Sequence, residues 1–362
     1  MNNTQAIMST TPGPTTRAPL SDALTLIVTT SPTPSAPSTE LLDAVFQSIR
    51  LCCGDLLACR IIVVLDTFER VGEVARLKKG QVTEEGAAAY LRYKENVKDL
   101  VLGVYDQPDG KDELIQEQGE AEYGYSGRAV SVTTNFTTYT VSRTKDGRVS
   151  FVEPSERLGF GLAVRTALRI TATPYVWIHQ HDWTLVHDVP VAPMLDVMET
   201  NDADEEGPVK YICLPSVRML QYAESAHVQE FPHLRALTAK LKREFVPQSH
   251  PTTKVPLTPM FFWHDKPHMA STQHYLSRVF PTRLAIPRGA FIEDTIGHRA
   301  RTQMKEQGMW SRWGCWLFYP GQGRQLCLRH LDGRRWRGAE AEMAMREIYR
   351  QGNRETQIKD TD

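Results

Sequence analysis

The most constraining feature of this sequence is a strand–helix–strand pattern near its N-terminus. Residues 23–30 form a short apolar, β-branched run, which is typical of a buried strand. Residues 39–49 follow with apolar side chains at helical spacing. A second apolar run, residues 60–66, then ends in an aspartate. Two buried strands joined by one helix predict a parallel βαβ unit with a right-handed crossover.

The same kind of pattern returns further along the chain. Residues 159–172 indicate a helix with one apolar face, and it leads into the apolar run 174–178, which indicates another buried strand. Between the two parts, Asp146 and Gly147 form a hairpin signal after an alternating stretch. The sequence therefore predicts an α/β fold, with a mostly parallel central sheet flanked by helices and a small antiparallel hairpin.

Length and composition limit the class of protein. The chain has 362 residues, of which 41% are hydrophobic and 23% charged, and a formal net charge of -1. These values suit one large globular domain and exclude a polyanion-binding chain, so no nucleic acid partner is expected. No apolar run reaches the ~18 residues of a membrane span, and the six cysteines lack a C-x-x-C pair. Reduced thiols in the cytoplasm are expected.

Three segments are predicted along the chain. Residues 1–21 are rich in Ser, Thr and Pro and are expected to be disordered; their few acidic residues leave an organelle transit segment as an alternative. One domain is expected over residues 22–338, divided near residue 185 into two halves. Residues 339–362 are expected to form a peripheral charged helix and tail.

Polar residues follow three of the predicted strands. Thr29 and Thr30 end the first strand, and Asp66 ends the second. Gln180, His181 and Asp182 stand at the end of the third. Ligands of open α/β sheets bind beyond the carboxyl ends of the strands. Polar side chains directly after an apolar strand are costly unless they are paired or solvated in a cleft. The alternative for Asp66 is that it caps a turn.

In their order and spacing, these motifs resemble the nucleotide-binding half of the family 2 glycosyltransferases. That family shows a strand closing on Asp, a Gly-x-x-x-Ala-Arg-Asn helix and a strand closing on Asp-x-Asp. Gly159, Ala163 and Arg165 stand at comparable places, although Val164 intervenes and Thr166 replaces Asn. The resemblance covers about residues 23–185 and implies a GT-A-like, Rossmann-like fold that binds a nucleoside diphosphate-sugar.

The resemblance implies a metal site that departs from the family's Asp-x-Asp motif at one residue. Gln180 stands where the family has its first Asp, and Asp182 retains the second, which is the usual metal contact. The implied cofactor is Mn²⁺ or Mg²⁺, held more weakly because Gln lacks the charge. Alternation in an extended chain predicts that His181 points away from both neighbours.

The resemblance also implies a catalytic base. Glu293 and Asp294 match an acidic motif that precedes a helix and removes the proton of the acceptor hydroxyl in inverting members. We expect Asp294 to be the base, with Glu293 second. A helix start that favours acidic residues is the alternative, and the two interpretations are compatible.

Further residues are assigned to the two substrates. The residues expected to hold the nucleotide sugar are Thr29, Thr30, Asp66, Arg157, Arg165, Gln180 and His181. Trp183, Trp263 and His264 are candidates for the acceptor, because aromatic rings stack on sugars; a core strand and turn is the alternative for the last two. His298, His330 and the arginines of residues 324–337 are interpreted as surface residues. The alternatives are a late metal ligand or diphosphate donor for either histidine, and neutralisation of the donor diphosphate or contact with an acidic partner for the arginines.

The sequence therefore predicts a glycosyltransferase that moves a sugar from a nucleoside diphosphate to a carbohydrate or other hydroxyl acceptor. Inversion is implied by the resemblance, and retention stays open. One alternative is a sugar nucleotidyltransferase, although residues 31–38 lack the basic, Gly-rich loop of that class. The other alternative is a non-catalytic binding or scaffold protein, which the missing first Asp favours.

Overall fold

The computed structural model describes residues 19–107, 113–122, 136–282, 285–345 and 347. The predictions for residues 1–18, 129–135 and 348–362 lie outside these ranges. The strands are β1 Leu24–Thr30, β2 Arg60–Leu65, β3 Arg70–Val71, β4 Gln81–Val82, β5 Ile115–Glu122, β6 Phe136–Arg143, β7 Val149–Pro154, β8 Tyr175–Gln180, β9 Trp183–Leu185, β10 Tyr211–Cys213, β11 Arg243–Phe245, β12 Val255–Pro259, β13 His268–Ser271, β14 Cys315–Phe318 and β15 Leu328–His330.

The helices connect and flank these strands. They are α1 Leu20–Ala23, α2 Glu40–Cys52, α3 Glu84–Val104, α4 Phe160–Ile170, α5 Val191–Asn201, α6 Ala226–Gln229, α7 Pro232–Leu241, α8 Thr272–His274, α9 His298–Lys305 and α10 Trp310–Trp313. Short 3₁₀ and π turns occur as well, including Leu77–Lys79, Val217–Met219 and Glu293–Gly297. Residues 339–345 are helical. None of the helices in the described ranges has the length and apolar character needed to span a membrane.

The centre of the fold is a parallel sheet. In the described part of the chain, eleven strands form one sheet in the order β11-β12-β14-β10-β13-β8-β1-β2-β7-β6-β5. Strands β8, β1, β2 and β7 are mutually parallel. Every residue of β1 is buried, as expected for a strand covered on both faces. The predicted strands and the α2 crossover between β1 and β2 are confirmed.

The antiparallel part of the sheet is larger than predicted. The expected hairpin at Asp146 and Gly147 joins β6 to β7, and β5 extends it. On the other side of the sheet, β13 lies antiparallel to both β8 and β10, and β12 lies antiparallel to both β11 and β14. Several of these strands are only three to five residues long, which is too short for a clear hydrophobic period.

Register places the predicted site residues at one edge of the sheet. Thr29 of β1 pairs with Val64 of β2 and with Gln180 of β8. The backbones of neighbouring strands remain hydrogen-bonded just past the strand ends. The Asp66 N–H donates to the Thr30 carbonyl at 2.9 Å, and the His181 N–H donates to the Thr29 carbonyl at 3.1 Å. The carboxyl ends of the three strands therefore meet, as predicted.

A second, two-stranded sheet carries the C-terminal segment to this edge. Strand β15 pairs antiparallel with β9, so that His330 lies opposite Trp183. The Leu331 N–H then donates to the Asp182 carbonyl at 2.8 Å. A segment distant in sequence thus closes over the end of β8. All six cysteines are free thiols.

Candidate functional site

A cavity of about 260 Å³ opens at the carboxyl ends of β1, β2 and β8. Seven residues predicted to bind a nucleotide sugar or metal line it, namely Thr29, Thr30, Asp66, Arg157, Gln180, His181 and Asp182. We call it the strand-end cavity. Because the strands are parallel and in register, polar residues that are far apart in sequence converge on this one space.

Asp66 is held by backbone groups. Its side chain is buried, and its two carboxylate oxygens accept hydrogen bonds from the N–H groups of Leu158 (2.8 Å) and Gly159 (2.9 Å). Burial raises the pKa of Asp66, although these two bonds and the charge of Arg157 oppose the rise. Asp66 therefore caps the segment that begins α4, which is distant in sequence, whereas the alternative had placed the cap in the turn that follows Asp66.

Gly159 is required where α4 begins. Its φ is +79°, and a Cβ there would lie 2.3 Å from the Cα of Gly289. Only glycine adopts this backbone without strain at so close an approach. The close approach fixes the N-terminus of α4 beside the strand-end cavity, where Phe160 and Ala163 line the wall.

A hydrogen-bonded chain orients the ring of His181. The Ser31 N–H donates to Nδ1 of His181 at 3.4 Å, so Nδ1 is an acceptor and the neutral ring carries its proton on Nε2. The Thr30 hydroxyl lies 2.7 Å from the same Nδ1, and the Tyr93 hydroxyl lies 2.8 Å from the Thr30 hydroxyl. Burial lowers the pKa of His181. The ring is therefore a neutral hydrogen-bond donor through Nε2.

The predicted alternation of His181 away from its neighbours is wrong. Nε2 of His181 and Oδ2 of Asp182 lie 3.0 and 3.2 Å from the position that a Cβ would take at Gly333. The reason is that β8 ends at Gln180. The two residues after it form a turn, in which side chains no longer alternate between faces.

Asp182 has one satisfied and one unsatisfied oxygen. Its Oδ2 accepts hydrogen bonds from Nε2 of His330 at 3.1 Å and from the Gly333 N–H at 3.0 Å. Its Oδ1 is buried and has no hydrogen-bond partner among the described residues. Burial raises the pKa of Asp182, but the bond from His330, the nearby histidines and the Gly333 N–H outweigh it and hold the pKa at about 2. Asp182 is thus an ionised residue that lines the strand-end cavity and has one oxygen without a hydrogen-bond partner among the described residues.

The residues present fit a divalent cation only if the substrate shares in binding it. Within the described ranges, no three His, Cys, Asp or Glu side chains form a group that could hold a metal ion. Mg²⁺ is commonly held by one or two carboxylates together with substrate phosphates and water. The free Oδ1 of Asp182 suits that arrangement. Gln180 lines the same cavity, and its amide donates to the Asp265 carbonyl at 2.8 Å.

Aromatic and basic side chains form the rim of the strand-end cavity. Phe160 and Phe291 are stacked with ring centroids 5.6 Å apart. The guanidinium of Arg334 lies 5.4 Å from the centre of the Phe291 ring. All three residues line the cavity, together with Phe68. Such rings offer a flat apolar surface, and Arg334 adds a cation that can bond a phosphate.

A second cavity of about 660 Å³ adjoins the first. We call it the adjoining cavity. The two cavities share Gln180, Phe291, His330 and Arg334. The adjoining cavity also contains Trp183, whose ring lies 4.6 Å from that of His330, and the predicted acids Glu293 and Asp294.

Glu293 is fixed by its neighbours and is a weak base. It exchanges hydrogen bonds with Asp265: the Asp265 N–H donates to the Glu293 carboxylate at 3.3 Å, and the Glu293 N–H donates to the Asp265 carboxylate at 3.1 Å. Nδ1 of His264 lies 3.2 Å from the Glu293 carboxylate and the Lys266 ammonium 3.9 Å from it. Burial raises the pKa of Glu293, but these partners bring it to about 2.

Asp294 differs from Glu293 in its surroundings. It is exposed and lines the adjoining cavity. Within the described part of the chain, its carboxylate has no hydrogen bond or ion pair, so it is accessible to a ligand. Both acids lie in the turn Glu293–Gly297 that leads into α9, as the sequence predicted.

The structure places three predicted residues away from both cavities. Trp263 is fully buried against Tyr211 and Tyr275 in the core, so the alternative of a core residue applies. His264 lines neither cavity and instead contacts Glu293. The segment that follows β12 turns towards the interior, so Trp263 packs in the core and His264 packs beside Glu293.

Arg165 is the third displaced residue. It lies two positions after Ala163 on α4, hence on the opposite side of the helix. It is buried, and its guanidinium donates to the Glu122 carbonyl at 2.7 Å. Burial lowers its pKa to about 10. It holds β5 to α4 and does not line either cavity.

His330, Gly333 and Arg334 were not among the predicted site residues. His330 and Arg334 are exposed, as the preferred interpretation has it, and both also line the two cavities. Burial lowers the pKa of His330, but the hydrogen bond and charge of Asp182 outweigh it and raise the pKa above its usual value. The clustering of arginines in residues 324–337 was the only signal that could have indicated this segment.

The similarity of this chain to known proteins is seen in its structure and not in its sequence. No protein family and no curated protein matches the sequence. One similar solved structure is the mannosyltransferase PcManGT from Pyrobaculum calidifontis in complex with GDP-Man and Mn²⁺, at 14% identity and a TM-score of 0.35 over 87% of this chain and 61% of that chain.

Two further solved structures are more distant. The 4-diphosphocytidyl-2C-methyl-D-erythritol synthase from Anaerococcus prevotii has 8% identity and a TM-score of 0.27 over 70% of this chain and 73% of that chain. The glucosyl-3-phosphoglycerate synthase from Mycobacterium tuberculosis, in complex with Mn²⁺, UDP and phosphoglyceric acid, has 11% identity and a TM-score of 0.25 over 71% of this chain and 58% of that chain. With TM-scores this low, function has to be inferred from the geometry of the site.

Proposed function

We propose that the protein transfers a sugar from a nucleoside diphosphate-sugar to a hydroxyl group of an acceptor. The observation that carries this proposal is Oδ1 of Asp182, a buried, ionised oxygen without a hydrogen-bond partner in the described ranges. Asp182 lines the strand-end cavity at the carboxyl ends of parallel strands, and its partner His330 lines both cavities. That position suits a cation or a proton-bearing group of a ligand, and the two cavities provide room for two substrates.

The strand-end cavity suits the sugar nucleotide. Phe160 and Phe291 offer apolar ring surface to a base. His181 presents an N–H donor, and Arg157 and Arg334 add positive charge for a diphosphate. Asp182, with Gln180, would hold Mn²⁺ or Mg²⁺, which when bound would neutralise charge on the leaving diphosphate. Asp66 supports the cavity through the backbone of Leu158 and Gly159.

The adjoining cavity suits the acceptor. Trp183 offers a ring face to a sugar or polyol, and Asp294 offers an accessible carboxylate. In the proposed step, the acceptor oxygen forms a bond to the anomeric carbon while the bond to the diphosphate oxygen breaks. The electron pair of that bond leaves with the diphosphate, and Asp294 takes the acceptor's hydroxyl proton. Glu293, with its pKa near 2, acts as a positioning residue. Attack from the side opposite the diphosphate would invert the anomeric carbon.

The test is a screen of UDP-, GDP- and ADP-sugars for release of nucleoside diphosphate, with and without Mn²⁺, using wild type and Asp294→Asn. We expect release from at least one donor, with kcat reduced about 100-fold or more in the variant. Release of pyrophosphate from a sugar phosphate and a nucleoside triphosphate would instead identify a nucleotidyltransferase. Binding of nucleoside diphosphate without turnover of any donor would identify a binding protein.

A further inference from the structure

The adjoining cavity carries an excess of positive charge. Five permanently cationic side chains line it, namely Lys78, Arg218, Lys266, Arg329 and Arg334. Three acids line it as well, and burial together with the charges of Glu293 and Asp294 raises the pKa of one of them, Asp265, well above its usual value. The cavity is therefore strongly cationic, although the whole chain has a formal net charge of -1.

Most of these cations have no ion-pair partner among the residues that the structure describes. Lys266 is close to Glu293. Lys78, Arg218, Arg329 and Arg334 form no ion pair within the described ranges. Many cations elsewhere in the molecule form ion pairs. Lys94 and Lys98 pair with Glu153, and Lys210 pairs with Asp202. Unpaired like charges that converge on one cavity repel one another, and an anionic ligand would relieve that repulsion.

Two of the arginines are brought together by backbone hydrogen bonds. The Pro215 carbonyl accepts hydrogen bonds from the N–H groups of Cys327 and Leu328, both at 3.1 Å. This contact fixes the short turn that carries Arg218 beside β15, which carries Arg329. Both arginines are exposed and line only the adjoining cavity. Their positions are therefore set by the fold and are separate from the strand-end cavity.

The cations divide between the two cavities. Arg334 lines both and is available to the diphosphate of the sugar donor. Lys78, Arg218 and Arg329 line the adjoining cavity only. A single carboxylate can be neutralised by one guanidinium, whereas a phosphate monoester carries close to two negative charges near neutral pH and has three acceptor oxygens. A group with that charge matches a set of several cations better.

We infer that the acceptor of this protein carries a phosphate group, bound in the adjoining cavity by Arg218 and Arg329 with Lys78 nearby. The inference rests on the proposed function, since it names the class of the second substrate. The phosphate would hold one end of the acceptor at β15. The hydroxyl at the other end would then lie towards Asp294 and the boundary between the two cavities, where the sugar is transferred.

The experiment uses matched pairs of probes that differ by one phosphate: glucose 6-phosphate with glucose, and glycerol 3-phosphate with glycerol. Binding is measured by calorimetry on the full-length protein, together with the binding of UDP and GDP. The variants are Arg218→Gln, Arg329→Gln and their combination. The matched control is Arg92→Gln, because Arg92 is exposed on α3 and lines neither cavity.

We expect at least one phosphorylated probe to bind about tenfold or more tightly than its neutral counterpart, and the double variant to lose that gain. The control should keep it, and nucleoside diphosphate affinity should be unchanged in all variants. Equal binding of both members of each pair, or a gain that survives in the double variant, overturns the inference. If phosphate selectivity holds but no nucleoside diphosphate binds, the transferase proposal fails and the anion site remains.

Discussion

Asp66 and Asp182 follow two strands of one parallel sheet and line the same cavity, yet their environments differ. Both oxygens of Asp66 accept backbone N–H bonds. Asp182 has two partners on Oδ2 and none on Oδ1 among the described residues. The pKa of Asp66 is raised by burial, whereas that of Asp182 is held at about 2.

The difference shows that position at a strand end does not by itself assign a role. The segment containing Leu158 and Gly159 satisfies Asp66 fully, which makes it a structural cap. The segment containing His330 and Gly333 bonds only Oδ2 of Asp182 and leaves Oδ1 without a hydrogen-bond partner among the described residues. Under the proposed function, Asp182 would act on the leaving group, whereas Asp66 supports the cavity wall through the backbone of Leu158 and Gly159.

The largest expected effect separates the two aspartates by activity. Asp182→Asn keeps the shape and the hydrogen-bond acceptor of the side chain but removes its charge. We expect donor turnover to fall about 100-fold or more, because the leaving diphosphate loses its electrostatic support, with little change in the free energy of unfolding. The measurement is steady-state release of nucleoside diphosphate, with denaturant unfolding alongside.

Asp196→Asn is the matched control for that variant. Asp196 is also buried, and it bonds a histidine, His250, at 2.8 Å, but it lines neither cavity. Its variant should keep turnover within about twofold of wild type, as expected for a change that touches no substrate. Equal losses in the two variants would remove the special role of Asp182.

The second effect separates the aspartates by stability. Asp66→Ala leaves the buried N–H groups of Leu158 and Gly159 without acceptors. We expect it to lower the free energy of unfolding by about 2–3 kcal/mol, measured by urea denaturation. Asp182→Asn, which keeps an acceptor, should cost less than half of that. A more stable Asp66→Ala protein would show that Asp66 is itself a binding residue under strain.

The third effect concerns the titration of His330, whose pKa Asp182 raises. Because the folded value lies above the ordinary 6.5, the pair stabilises the fold fully below pH 6.5, and this contribution is lost as the pH rises through the folded value. In Asp182→Asn, the pKa of His330 should fall. The measurement is an NMR titration of the His330 ring; the same pKa in both proteins would contradict the pairing.

The smallest effect comes from Gly333→Ala. The added methyl group would lie 3.0 Å from Nε2 of His181 and 3.2 Å from Oδ2 of Asp182, so both side chains must shift by a few tenths of an ångström. We expect donor turnover to fall about threefold to tenfold, because small displacements in a positioned site reduce rate, while urea stability changes little. Unchanged turnover would show that the ligand does not depend on this contact.

Much of the parallel centre could be predicted from the sequence. The strands β1, β2 and β8 and the helices α2 and α4 have long, regular patterns of apolar residues, and these patterns are local. The convergence of Asp66 and Asp182 followed from one rule about the carboxyl ends of parallel strands. For this reason the polar residues at the strand ends of this cavity were anticipated, whereas its aromatic residues, His330 and Arg334 were not.

The rest of the site depends on contacts that no local pattern reveals. His330 lies on a three-residue strand, which is too short for a hydrophobic period. Trp263 and His264 have residue types suited to sugars, but the inward turn of their loop is a tertiary feature. Arg165 was misplaced because the resemblance gave its position along α4 and not the side of the helix it occupies.

The contact between Asp182 and His330 joins residues 148 positions apart. At the usual pace of translation of about 5–20 residues per second, roughly 7–30 s pass between the synthesis of one residue and the other. During that interval the nascent sheet holds Asp182 without its histidine. The hydrogen bonds that hold Oδ2 of Asp182 therefore form only after residue 330 has been synthesised, and a messenger truncated before codon 330 would yield a polypeptide with most of its sheet but without this contact.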